Sequence, residues 1–161
     1  MRYVFRQRVM SVGDAYVLAD ESGHEVMRAA SPALRLRDRF VVEDERGRCV
    51  ATLSTRIFGM GQRFDVEVGG LAGVVRKRGF SWFAWRFDVE GAGLDGLSVS
   101  GNFADSVCWV KWERGGVERV VARMQRADLS LTPEFAVTMF EDAEPGDLGL
   151  VALMGIVVDQ G

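Results

Sequence analysis

Hydrophobic and polar residues alternate along most of this chain in short runs, and nearly every run stops at a turn. Period-two alternation places successive side chains on opposite faces of a strand. It predicts twelve strands, over 3–9, 16–19, 25–29, 40–43, 49–53, 63–68, 72–77, 83–89, 97–100, 107–112, 118–124 and 135–140. Asp20-Glu21-Ser22-Gly23, Asp44-Glu45-Arg46-Gly47 and Trp112-Glu113-Arg114-Gly115-Gly116 predict type I turns closed by a left-handed glycine. Gly69-Gly70 and 90–96 serve the same role more loosely. Nineteen glycines against three prolines suit short strands joined by tight turns.

One segment breaks the alternation. Residues 147–159 are apolar on every side between two aspartates, the pattern of a buried helix. Pro145 and Asp147 suit its start, and thirteen residues is long for a strand. Gly149, Ala152 and Gly155 recur every three residues, a smooth stripe that strands can approach closely. A helix of this length spans about 20 Å, as does a strand of six or seven residues. The lengths match a helix lying inside a closed barrel. Closure removes the exposed edges of a twelve-strand sheet, and the helix fills the hollow.

The chain also repeats itself. The stretch 11–23 returns as 35–47, twenty-four residues on, with Asp14/Asp38 two places before Tyr16/Phe40 and a closing Asp-Glu-x-Gly. Phe64 takes the same step once more. The matched aspartates suggest turn hydrogen bonding rather than catalysis. These units, with Ser100-Gly101-Asn102-Phe103 and the terminal apolar helix, resemble the LURP-one-related family over almost the whole chain. That family shares the Tubby C-terminal-like and phospholipid-scramblase architecture. The resemblance implies a mainly β fold, a closed twelve-stranded antiparallel barrel built from hairpins around one C-terminal helix. It also implies a largely undefined biochemistry. Tubby-like relatives bind phosphoinositides through basic residues on the barrel, and scramblase-like ones act at membranes. No residue-level phosphoinositide motif carries over to this sequence.

Composition narrows the classes. The 161 residues suit one domain over 1–161 with a sizeable core. A net charge of -3 gives no global field for nucleic acid, and no nucleic-acid partner is expected. Cys49 and Cys108 are too few for a disulfide scaffold or a zinc site and are expected as reduced, partly buried thiols. With no signal-peptide pattern, a cytoplasmic location is expected, possible attachment to a membrane surface included. The apolar run 148–158 falls short of the roughly 20 residues of a membrane-spanning helix.

If strands alternate in direction, the turns sort onto two ends. One end collects Asp20, Glu21, Asp44, Glu45, Glu90, Asp95, Glu113 and 141–147. The other collects Arg35, Arg37, Arg39, Arg56, Arg63, Arg76, Lys77, Arg78, Arg123 and Arg126, against Asp14, Asp38, Asp105 and Asp128. The helix would start at the acidic rim and end at the basic one, in line with its macrodipole. Arg76-Lys77-Arg78 precede Phe80, Trp82, Phe83 and Trp85, a pairing of cations and rings that suits a lipid headgroup. The candidate anion- or lipid-binding residues are Arg35, Arg37, Arg39, Arg76, Lys77, Arg78 and Trp82. Arg35, Arg37 and Arg39 also fit an exposed row over buried Leu34, Leu36 and Phe40. The acidic run 141–147 lacks EF-hand spacing and reads as a helix lead-in.

His24 is the only histidine, and no triad, zinc ligand set or phosphate loop is present. No catalytic residue, metal ligand or cofactor is expected. The leading expectation is a non-enzymatic binding module for anionic phospholipid or another phosphate-bearing ligand at the basic rim. The competitors are a protein-interaction scaffold using apolar surface near Trp82 and Trp85, and, more weakly, an enzyme with an unrecognised site.

Overall fold

The computed structural model describes residues 1–9, 14–31, 39–58, 61–80, 84–91, 93–102, 106–127, 134–140 and 147–160. Twelve strands precede one helix: β1 (Arg2–Val9), β2 (Asp14–Asp20), β3 (Glu25–Ala30), β4 (Arg39–Asp44), β5 (Cys49–Phe58), β6 (Gly61–Val68), β7 (Leu71–Phe80), β8 (Ala84–Glu90), β9 (Leu97–Asn102), β10 (Val107–Arg114), β11 (Val117–Arg126), β12 (Glu134–Met139) and α1 (Asp147–Gln160). Every strand pairs antiparallel with its sequence neighbours, and β1 closes on β12. All twelve expected strands and the helix are present. Pairing extends β5, β7 and β11 past their apolar cores to ten residues each, because a ladder bonds backbone whatever the side chains.

The repeat is a structural unit. Asp20 Oδ1 accepts from the backbone N–H of Ser22 and His24 at 3.0 Å each, and Asp44 Oδ1 from Arg46 and Arg48 at 2.9 and 3.0 Å. Gly23 and Gly47 close these turns at φ 86° and 75°. Even the bulges repeat, falling at Leu18/Ala19 and at Val42/Glu43. The β10–β11 turn differs from the expected type I form. Arg114 pairs directly with Val117, and Gly115 and Gly116 both have positive φ (59° and 76°), a two-residue turn of the mirror-image kind. Gly69-Gly70 repeats that geometry at 56° and 82°.

Inside the barrel, α1 is buried from Gly149 through Val157, with Asp147 buried and Leu148 partly buried before it, as its all-round apolar pattern requires. It is eccentric, lying closest to the side of the wall from β3 to β6, β5 above all. The small stripe works at one end only. A Cβ at Gly155 would meet the Phe5 ring at 2.7 Å, whereas one at Gly149 would sit at an ordinary 3.6 Å from Val50. Phe5 in turn stacks on Tyr16, with centroids 5.3 Å apart.

Candidate functional site

The chain direction of the strands sorts the turns onto two ends, as the alternation implies. The ends are mixed in charge, however. Arg46, Arg48, Arg114 and Arg119 belong to the end that holds Asp20 and Asp44. Asp147 opens α1 there, buried, with Arg119 at 3.5 Å. At the opposite end the helix closes without a basic residue in its last turn. It carries Asp159 instead, whose Oδ2 accepts a hydrogen bond from the Tyr16 hydroxyl. That corrects the expected match of charge to macrodipole at the C-terminal end. A carboxylate beside the terminal carbonyls is unfavourable unless donors offset it, and the phenol is one.

The aromatic residues decide where this end opens. Tyr16, Phe40 and Phe64, one per repeat, are all turned inward and buried, and Phe87 continues the row. Tyr16 and Phe40 touch edge to face at 5.4 Å, and Phe64 and Phe87 lie 6.4 Å apart. Small Ala29 pairs with Tyr16 on the intervening strand and leaves room for the first contact. Phe5 links the row to Phe135 at 6.4 Å. On β9, β10 and β11 the inward positions near this end are Gly101, Cys108 and Met124, and the aromatic row lapses.

A cleft of about 340 Å³ occupies that side, between the last turn of α1 and the wall from β7 to β12. Trp85, Phe87, Val107, Phe135 and Val158 make it largely apolar, and Lys77, Arg126 and Asp159 bring charge to it. Trp85 meets Phe87 edge to face at 5.9 Å and lies against Gly101, where a Cβ would come within 2.4 Å of the indole. The Ser100-Gly101-Asn102 motif therefore exists in part to seat this ring. Ser106 lines the cleft at φ 51°, the one described non-glycine residue in the left-handed region. Its carbonyl accepts from Arg126 N–H at 2.9 Å, which holds it there. Such strain concentrates at functional sites. Burial pushes the Cys108 thiol up to about 12, so it stays protonated near neutrality. Cys49 is exposed rather than partly buried, because it begins β5 at the far end, and neither cysteine forms a disulfide.

The expected cationic cluster is divided. Arg76 and Arg78 lie on the outer wall, two residues apart and so on one face of the strand, with the bulge between Lys77 and Gly79 shifting the register only beyond them. Both face the carboxylates of β8: Arg76 lies 3.8 Å from Glu90, and Arg78 pairs with Glu90 and lies 4.0 Å from Asp88. Lys77 belongs to the inward row of Val75 and reaches the cleft, 5.7 Å from the Phe87 centroid. Arg39 is exposed at the start of β4, away from the cleft lining. Arg35, Arg37 and Trp82 lie outside the described residues, as do Asp38 and 141–146. Arg126 was the cation that sequence reasoning left off the site. Its signal was parity: it follows buried Met124 by two, as Lys77 follows Val75. Trp85 is half-buried in the cleft wall rather than offered on the surface, so it does not supply the apolar docking patch expected of a scaffold.

Comparison with known proteins agrees with this architecture. The family model described as LURP-one-related matches residues 1–159. The chain belongs to the LURP-one-related family. Among solved structures, a protein of Arabidopsis thaliana determined by X-ray crystallography is similar at 22% identity and a TM-score of 0.65, covering 98% of this chain and 90% of that one. At that identity the likeness concerns the fold. A comparison with curated proteins gives no match. Among the described residues of this LURP-one-related chain, no helix is long and apolar enough to cross a membrane.

Proposed function

We propose that the chain is a non-enzymatic binding module whose ligand carries a phosphate, held at the open end of the barrel. The observation that supports this reading is the meeting of Lys77 and Arg126 at one apolar cleft. Ligand sites are typically concave and apolar with a few polar groups that fix orientation, and they run from about 300 Å³ upward. Arginine binds phosphate through a planar fork of donors and lysine as a point charge. A phosphorylated headgroup at a membrane surface and a free phosphorylated ligand share this chemistry.

Liposome flotation with the full chain tests the reading and tells the two sources apart. Binding to vesicles containing a phospholipid with an accessible phosphate is expected to fall on Lys77→Glu and Arg126→Glu. It should persist on Arg76→Glu, whose residue lies on the outer wall. Competition by a soluble phosphorylated headgroup, without flotation, points to a free ligand. Binding that survives reversal at both Lys77 and Arg126 sinks the proposal.

A further inference from the structure

The cleft holds other polar and charged groups besides its two cations, and these define a ligand class. Asp159 lines it beside Lys77 and Arg126, so two positive charges and one negative face the same space. The last turn of α1 ends there as well, with its terminal carbonyls at the negative end of the helix dipole. A ligand bearing only negative charge would be attracted by the cations and repelled by Asp159 and the helix end. A ligand bearing both signs satisfies all of these groups. Asp159 accepts from Tyr16 through Oδ2, and a carboxylate has lone pairs for more than one donor. The remaining lining is aromatic and aliphatic, with Trp85, Phe87, Val107, Phe135 and Val158 presenting a surface for hydrocarbon. At about 340 Å³ the cleft is at the small end of ligand sites, which favours one chain over two.

The geometry points to a single-chain zwitterionic amphiphile as the occupant. Its acyl chain lies between α1 and the wall from β8 to β12, its phosphate meets Lys77 and Arg126, and its ammonium meets Asp159. This rests on the phosphate reading above and extends it to the chain and to the second charge.

Calorimetric titration of the full chain below the micelle-forming concentration tests it. Four ligands serve: lysophosphatidylethanolamine, lysophosphatidic acid of the same chain, the matching monoacylglycerol, and chainless glycerophosphoethanolamine. Affinity for the first is expected to rise up to about four-fold per added methylene until the cleft is full, then to level. It should exceed that for lysophosphatidic acid about ten-fold, the worth of one charge-assisted hydrogen bond. Asp159→Asn keeps an oxygen for the Tyr16 hydroxyl and should erase or reverse that preference, an outcome that general damage would not produce. Should the variant fail to fold, the series on the unaltered chain decides alone. Tighter binding of lysophosphatidic acid by the unaltered chain overturns the zwitterion inference and leaves the phosphate reading standing. A monoacylglycerol that binds as well as either overturns both. Affinity indifferent to chain length removes the acyl chain from the cleft.

Discussion

The two halves of the barrel wall treat the same helix differently. From β1 to β6 the twenty-four-residue repeat holds, and each unit sends a large ring inward. Phe5, Tyr16 and Phe40 interlock there, and α1 presses against that side so closely that Gly155 cannot carry a Cβ without displacing Phe5. From β7 to β12 the repeat lapses. Gly101, Cys108 and Met124 stand at the inward positions of three consecutive strands, and the cleft opens beside them. A regular wall fills its interior, and an irregular one leaves space. The half that departs from the pattern is where a ligand has room.

The largest expected effect comes from cutting each half. Phe40→Ala removes a buried ring from the interlocked side and should cost about 3–5 kcal/mol in denaturant unfolding. Phe135→Ala removes a ring that is also buried, 6% exposed against 2% for Phe40, but has the cleft on one side, and should cost somewhat less. Equal losses would mean that the two halves are packed alike.

Glycine substitution along the helix sharpens the contrast. Gly155→Ala forces a methyl to within 2.7 Å of a ring that is itself stacked, and should destabilise by about 1–3 kcal/mol. Gly149→Ala has room and gains up to about 1 kcal/mol of helix propensity. Opposite signs in thermal unfolding support an α1 clamped at its C-terminal half. The same sign for both removes the clamp.

The smallest effect concerns the turns that mark the repeat. The Ser22 hydroxyl, with backbone donors beside it, holds the Asp20 carboxyl below the ordinary range, and the Arg48 backbone N–H does so first for Asp44. Depressed folded values mean that these carboxylates contribute stability above the ordinary aspartate range, and that it is lost as pH falls through the lower folded values. Stability should therefore decline below about pH 4. Asp20→Asn and Asp44→Asn should each flatten that decline, and by similar amounts because the two turns share one geometry. Acid titration of the thermal midpoint checks this, and unequal slopes would show that the repeats are alike in shape but not in electrostatics.

Much of the fold was legible because strand signals are local. Alternation at Tyr3 to Val9 or Phe40 to Glu43 needs no distant partner to be read, and the all-round apolar character of 147–159 declares burial on its own. The two-residue turn at Gly115-Gly116 was misread as a type I form because glycine permits either hand, and the direct pairing of Arg114 with Val117 chooses between them. The candidate site was legible only in part. Alternation alone turns Lys77 away from Arg76 and Arg78, but that the carboxylates of β8 engage the outer pair while Arg126 joins Lys77 at the cleft depends on register across the closed barrel.

By itself the sequence determined the number of strands, the closing helix, the repeated Asp20 and Asp44 turns and which faces are apolar. All of these follow from periodicity and from side chains that act within a few residues of their own position. Tertiary structure alone decided that α1 lies off-centre, that the aromatic row fails across β9 to β11, and that Lys77, Arg126 and Asp159 meet at one cleft. Those residues are far apart along the chain, and only barrel closure, which fixes register around the whole ring, brings them together.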